Sequence, residues 1–333
     1  MNILQYKQLT ILTNVPVSQP SIMRRRLYRN FKHFVGFFRE KQPTNFNQIR
    51  GPGIVQINLL KGLDCIGQFY RFNPPYNLST PYVGVLSNVE ALRWAIRAKQ
   101  DGIIKRLIAG PNLLITPLLA DGILCAPEID IVVTPCKWVH EWYVSLAPQL
   151  KNKIVEWPVG IDTDYWCPDL RSKNSKPNLW LIYNKTDYRG KSELKAVQSE
   201  LERRGENYEV INYGQYGQEH YLNILRHSKA LIMLSPSESQ GIAQFEAWAC
   251  DIPILAWDSH RFEWEGRVFN APSVSSSPYL SAECGMRFSN QYDLQKVLDK
   301  FINNLANFTP RKYVVQNFSL SKAALSYIRI FNK

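Results

Sequence analysis

The chain has 333 residues, 45% of them hydrophobic and 12% aromatic, and its 40 Lys and Arg outnumber its 28 Asp and Glu for a net charge of +12. That length accommodates two domains with separate cores, and the ordinary charged fraction with abundant aromatics excludes a disordered chain. No apolar run approaches the roughly 20 residues that span a bilayer, and Leu9 to Val15 lacks the cleavage pattern of a signal peptide.

Six cysteines (Cys65, Cys125, Cys136, Cys167, Cys250 and Cys284) are scattered without metal-ligand spacing. This is the usage expected of a cytoplasmic protein whose thiols fill small core positions. The excess of positive charge calls for an anionic partner: a nucleic acid, a membrane surface or an anionic substrate. No zinc-finger spacing, helix-turn-helix signature or RNA-binding aromatic motif accompanies it, so nucleic acid has the charge alone in its favour.

Leu9 to Val15 reads as a first buried strand, closed by a turn at Pro16 to Pro20. Ser21 to Lys41 then sets Arg24, Arg25, Arg26, Arg29, Lys32 and Arg39 among Leu27, Phe31, Phe34, Val35 and Phe38. The apolar positions recur at helical spacing, which predicts a basic amphipathic helix. Its apolar face belongs to the core, and its basic face is expected to attract an anionic acceptor or the inner face of a membrane.

Gly53 to Leu60, Tyr82 to Leu86, Lys105 to Ala109 and Ile129 to Thr134 are short apolar runs bounded by Gly, Pro or Asn, the pattern of buried strands. Val89 to Gln100 and Lys137 to Leu146 have helical periodicity. The alternation predicts a parallel sheet covered on both faces, with ligands at the carboxyl ends of its strands. The loops Gly110-Pro111-Asn112 and Pro135-Cys136-Lys137 follow two such strands, making Gly110, Asn112 and Lys137 candidate cleft residues. His140 falls on a helix surface.

Leu179 to Tyr183 opens a second set of strands after the polar stretch Arg171 to Asn178, and the basic loop Asn184 to Lys191 follows it. Tyr208 to Tyr213 is a further strand, ended by the turn Gly214 to Gly217; His220 and His227 lie in the next helix and read as structural. Ala230 to Leu234 is a buried strand, Ser235-Pro236-Ser237 a turn, Gly241 to Cys250 a helix stopped by Asp251-Ile252-Pro253, and Ile254 to Trp257 another strand. Leu294 to Leu305 is amphipathic. Glu238 in the loop and Glu246, taken as about two turns into the helix, have seven residues between them. The free N–H groups of Ser239, Gln240, Gly241 and Ile242 would favour phosphate, while the two carboxylates could accept hydrogen bonds from sugar hydroxyls. The spacing alone leaves open a helix-start acid at Glu238 and a solvated helix residue at Glu246.

The string SPSESQGIAQFEAWACDIPILAW resembles the E-x7-E segment of retaining GT-B glycosyltransferases, in particular glycosyltransferase family 4. Ser235, Glu238, Gly241, Glu246, Ala247, Ala249, Pro253 and Ala256 match; Leu234, Ser239-Gln240 and Asp251 depart. KIVEWPVGIDTDYWCP, residues 153–168, resembles the interdomain segment of the same family, with Pro158, Gly160, Ile161, Asp162 and Pro168 matching. The tail VVQNFSLSKAALSYIRIF resembles its closing helix, and EIDIVVTPCKWVHEWY the last strand and helix of its first domain. The likeness runs from about Ile129 onward; before that it is weak, and the first turn, VPVSQPS, lacks the family's glycines.

The resemblance implies a GT-B fold: two doubly wound Rossmann-like domains facing a central cleft. It implies an acceptor-side domain over residues 1–157, a linker over 158–178, a donor-side domain over 179–315 and a helix over 316–333 crossing back to the first domain. It further implies transfer of a sugar, with retention, from a nucleotide-diphosphate sugar to a glycan, lipid or small-molecule acceptor. Lys185, with Arg189 or Lys191, would neutralise the leaving diphosphate, Glu238 would orient the transferred sugar and Glu246 the ribose. The turn Gly214 to Gly217 falls where relatives hold the nucleotide base. Asp162-Thr163-Asp164 spells the DxD that holds a metal in GT-A enzymes, but it falls inside the linker pattern, so no metal and no cofactor are expected. The alternatives are a catalytically decayed GT-B protein acting as a basic binding module on membrane or nucleic acid, and a GT-B nucleotide-sugar epimerase.

Overall fold

The computed structural model describes residues 8–14, 51–169, 178–186 and 190–333. The predicted basic helix over residues 21–41, the turn after the first strand and Arg189 lie outside them. Two parallel sheets organise the chain. The first contains β1 (Leu9–Leu12), β2 (Tyr70–Phe72), β3 (Tyr82–Val85), β4 (Arg106–Ala109), β5 (Ile131–Thr134) and β6 (Ile154–Glu156), in the order β2-β1-β3-β4-β5-β6. The second contains β7 (Leu179–Asn184), β8 (Asn207–Asn212), β9 (Ser228–Leu234), β10 (Ile254–Trp257) and β13 (Gly285–Phe288), in the order β13-β10-β9-β7-β8. Between β10 and β13 a separate antiparallel hairpin pairs β11 (Arg261–Trp264) with β12 (Arg267–Asn270).

Both sheets are covered on both faces, which is why the central strands read as unbroken apolar runs. Along β7, Leu181 and Tyr183 enter one core while Trp180 and Ile182 enter the other, the two-residue alternation of a strand. Helices α2 (Val89–Gln100) and α3 (Lys137–Leu146) cover one face of the first sheet, with the bounds expected from periodicity. On the second sheet α5 (Gln218–His227), α6 (Ile242–Ala249) and α8 (Pro310–Phe318) lie on one face, α4 (Lys191–Arg203) and α7 (Gln291–Asn303) on the other.

The expected strand over Gly53 to Leu60 is instead part of a helix, α1 (Gly51–Cys65). Its buried residues (Val55, Gln56, Asn58, Leu59, Leu60, Leu63) cover too much of its circumference to leave a polar stripe, so its period is lost in the sequence. α1 and α9 (Leu320–Ile330) pack together on the other face of the first sheet, where a Cβ at Gly84 of β3 would stand 2.3 Å from the Tyr327 hydroxyl. The helices approach closely at Gly62, where a Cβ would stand 2.5 Å from the Leu320 carbonyl oxygen. The single closing helix expected over residues 316–333 is broken at Ser319, whose extended backbone (φ −62°, ψ 156°) separates α8 on the second sheet from α9 on the first.

The connection between the sheets is tied to these two helices. Trp157 is fully buried and donates from Nε1 to the Ala323 carbonyl at 2.9 Å, and the Ile161 N–H donates to the Phe318 carbonyl at 2.8 Å. Asp162 accepts from Lys61 Nζ at 2.8 Å and from the Tyr165 N–H at 3.2 Å. Burial raises its carboxyl pKa, but Lys61 and these hydrogen bonds outweigh that and lower it on balance. The first acid of the DxD string is therefore engaged in holding the linker to α1. Among the described residues no helix is long and apolar enough to cross a membrane. Cys136, Cys250 and Cys284 are buried, as core thiols should be, whereas Cys65 is exposed.

Candidate functional site

In the second sheet, successive strands leave β7 in opposite directions: β8 lies on one side of it and β9 on the other. Such a reversal opens a crevice at the carboxyl ends of the two strands, where α/β proteins bind ligands. Lys185 is the first residue beyond β7 and Ser235 the first beyond β9, and the Lys185 N–H donates to the Leu234 carbonyl at 2.8 Å. Chain topology thus brings Lys185 and the glutamate loop to one point.

Lys185 Nζ lies 2.8 Å from Glu238 Oε1 and 4.4 Å from the centre of the Tyr213 ring. Glu238 also accepts from Ser235 Oγ at 3.2 Å. Burial lowers the Lys185 pKa, but the Glu238 carboxylate, its hydrogen bond and Tyr213 outweigh this and raise it on balance. Lys185 is therefore an ammonium at neutral pH, with about a third of its side chain exposed.

The loop from Ser235 enters α6 through Gly241, whose φ of +63° lies in the left-handed region; a Cβ there would stand 2.6 Å from the amide of Gln244. The N–H groups of Ser239, Gln240 and Gly241 take no partner among the described residues, the condition under which a helix start attracts an anion. Ser239 is exposed. Gln240 is buried and accepts from the Val159 N–H at 3.2 Å, leaving its Nε2 unpaired, and Ile242 packs on the apolar cluster of the first domain and linker.

Glu246 lies about one turn inside α6, closer to its start than the expected two. It is 5% exposed, not solvated, and has no cationic partner among the described residues. Burial raises its pKa well above the usual carboxylate range. Tyr216, whose hydroxyl donates to Tyr183 Oη at 3.2 Å, stands in the field of both carboxylates: burial first, then Glu246 and Glu238, push its phenol up. Tyr216 lies in the Gly214 to Gly217 turn, and its ring packs 5.1 Å from Tyr221.

Lys191 is the exposed first residue of α4. Gly110 and Asn112 sit at the carboxyl edge of the first sheet, where their N–H groups donate to Val85 and Leu86 carbonyls and extend the ladder. Lys137 opens α3, 3.9 Å from Glu141, and lines a cavity of about 370 Å³ walled on the far side by Asp258, Ser273 and Arg287. His140 bonds Glu156 at 3.2 Å, a surface contact within the first domain.

The sequence did not signal what crosses between the domains. Trp138 donates from Nε1 to the Glu238 carbonyl at 2.7 Å, and its ring lies 4.7 Å from Phe262 of the hairpin. Phe262 and Phe269 both lie 5.5 Å from Trp142, so the hairpin of the second domain is seated on α3 of the first. The helical periodicity of Lys137 to Leu146 predicted α3 but carries no information about which distant segment covers Trp138 and Trp142.

Two doubly wound parallel domains with the glutamate loop between them define a GT-B fold. The fold is similar to that of the lipopolysaccharide outer core galactosyltransferase WaaB in its apo form, with TM-score 0.53, 13% identity and 98% of each chain covered. It is similar also to AviGT4, a glycosyltransferase involved in avilamycin A biosynthesis (TM-score 0.53, 11% identity, 98% of this chain and 97% of that one). TarM aligns with TM-score 0.52 and 10% identity over 76% of this chain and 55% of its own. Identities this low establish a shared fold and nothing finer. No family model matches the sequence, and no curated protein matches it.

Proposed function

We propose that the protein is a retaining glycosyltransferase of the family 4 type, moving a sugar from a nucleotide-diphosphate sugar to a glycan, lipid or small-molecule acceptor. The observation that carries this reading is the meeting of Lys185 and Glu238 at the switch point of the second sheet, beside a helix start with free N–H groups and one turn from the buried Glu246. Lys185, with Arg189 or Lys191 and the N–H groups of Ser239 to Ile242, would stabilise charge gathering on the leaving diphosphate, often the largest catalytic contribution. Glu238 would hold the transferred sugar and Glu246 the ribose diol. The acceptor hydroxyl oxygen bonds to the anomeric carbon as the bond from that carbon to the diphosphate oxygen breaks. The diphosphate departs with the electron pair and takes up the hydroxyl proton.

Cations of the chain would do the neutralising, so the reaction needs no metal and no cofactor. The Lys185–Glu238 pair would serve as a stand-in for ligand: phosphate replaces the carboxylate at the ammonium, and a sugar hydroxyl replaces the ammonium at the carboxylate. The proposed setting is cytoplasmic, with the basic segment over residues 21–41 drawing the acceptor-side domain to an anionic membrane surface.

Thermal shift with nucleotide diphosphates tests the reading first, since a ligand at about 100 times its dissociation constant stabilises by ~2.7 kcal/mol. Incubation with nucleotide sugars and assay for released diphosphate and for the anomeric configuration of the product completes it. A protein that no nucleotide diphosphate stabilises and that neither transfers nor hydrolyses any donor is not this enzyme.

A further inference from the structure

We propose that Trp138 is a positioning residue contributed by the acceptor-side domain, which sets the Glu238 carboxylate by holding the backbone of its loop. This rests on the transferase reading above. Both backbone groups of Glu238 are engaged: its N–H donates to the Ser275 carbonyl at 2.9 Å, and its carbonyl accepts from Trp138 Nε1 at 2.7 Å. With the peptide units on either side fixed, the direction of the Cα–Cβ bond is fixed, and with it the approach of the carboxylate to Lys185. Lys185, Ser235 and Ser275 all belong to the donor-side domain. Trp138 alone among these contacts comes from the other side of the cleft.

The tryptophan is suited to this. It is 4% exposed, in the first turn of α3, and the hairpin's Phe262 backs its ring. An indole has a single donor direction and two side-chain torsions, so a packed ring delivers its N–H with little angular freedom. An aliphatic side chain of equal volume would fill the space and leave the Glu238 carbonyl without this partner. The bond also ties the site to the relation between the domains: rotation of α3 away from the second sheet would break it and free the Glu238 carbonyl. The Glu238 carbonyl keeps this partner only while the two domains face one another as they do here.

Trp142 provides the control. It packs on the same hairpin, yet its Nε1 has no hydrogen-bond partner among the described residues, so Trp142→Phe perturbs the seam without touching the glutamate loop. The experiment compares Trp138→Phe with Trp142→Phe by amide hydrogen exchange in the empty protein, by calorimetry with the bare nucleotide diphosphate, and by steady-state rates with the full donor. Trp138→Phe should speed exchange at the Glu238 amide and lower kcat by about 10-fold, the size expected for one lost hydrogen bond to a buried carbonyl. KM and diphosphate affinity should stay within about twofold, because the phosphate grip lies elsewhere. Trp142→Phe should leave all of these near wild type. Unchanged exchange at Glu238 in Trp138→Phe overturns the tether whether or not the protein is an enzyme. Faster exchange with an unaltered kcat overturns its role in turnover, as does an equal fall in kcat in both variants. A wild-type protein without transfer or nucleotide binding overturns the transferase reading instead, and the role in turnover with it.

Discussion

Lys185 and Glu238 face each other at 2.8 Å across the carboxyl ends of two adjacent strands, each occupying the other's place for a ligand. The raised pKa of Lys185 gives this pair a definite pH range. A lysine whose folded pKa exceeds its unfolded value adds stability that is fully present below the unfolded value and lost as pH rises through the folded one. The ammonium of the pair therefore persists throughout the neutral range and is lost in alkali.

Replacing Lys185 with Ala should lower turnover by about 10²–10³-fold if the ammonium stabilises the leaving diphosphate. Adding magnesium should not restore the loss, and a chelator should leave the wild type active. Combined with Glu238→Gln, the effects should fall short of additive because the two groups share one site. Wild-type rates in Lys185→Ala would remove this loop from the mechanism, and strict metal dependence would return attention to Asp162 and Asp164.

Glu246 yields a prediction with two opposed signs. Burial raises its pKa, so it adds stability at low pH that is lost as pH rises through the raised value. Glu246→Gln should thus melt with the wild type in acid and at a progressively higher temperature than the wild type above it. Nucleotide affinity should move the other way, falling roughly 10- to 100-fold for a lost hydrogen bond to a charged group. If the ribose diol binds the ionised carboxylate, wild-type binding also releases a proton, detectable by calorimetry in buffers of different ionisation enthalpy. Glu238→Gln should not weaken bare diphosphate binding, because it removes the carboxylate that phosphate displaces from Lys185. A Glu246→Gln protein that is less stable at every pH would contradict the cost assigned to burial.

The hairpin should act as the fastening between the domains. Phe262 is half-buried against Trp138 and Trp142, so Phe262→Ala should cost about 2 kcal/mol, less than a fully enclosed phenylalanine. Thermal unfolding should show the wild type in one transition and the variant broadened or split. An unshifted, single transition in Phe262→Ala would mean that the linker contacts alone unite the domains.

Binding of the intact protein to anionic vesicles should fall as salt rises, since exposed charges are screened over ~8 Å at physiological ionic strength. Changing Arg24, Arg25 and Arg26 to Gln should weaken it while leaving the melting temperature unaltered. Equal binding to neutral and anionic vesicles would sink the proposed membrane attraction.

What the sequence made legible follows from exposure. α2 and α3 each keep a polar stripe, so their periods gave their bounds, whereas α1 buries most of its circumference and looked like a strand. The short β2 and the hairpin carried no pattern strong enough to notice. Within the candidate site, Lys185, Glu238 and Glu246 were singled out through the resemblance, since a strand–loop–helix unit keeps its order of residues in the chain. Trp138, Ser275 and Tyr216 were not singled out, because their relation to those residues exists only once the separate elements pack together.

The placement of α9 also bears on how the protein is made. Tyr327, Ile328, Ile330 and Phe331 complete the core of the first domain, although they are translated after the whole second domain. A nascent chain on the ribosome therefore carries an uncovered apolar face, formed by β1, β4, β5 and α1, for as long as the second sheet takes to emerge. The usual vectorial order, in which the leading domain folds first, is inverted here. The later domain can close on its own core, while the earlier one must wait, and that interval is when a chaperone would have most to bind.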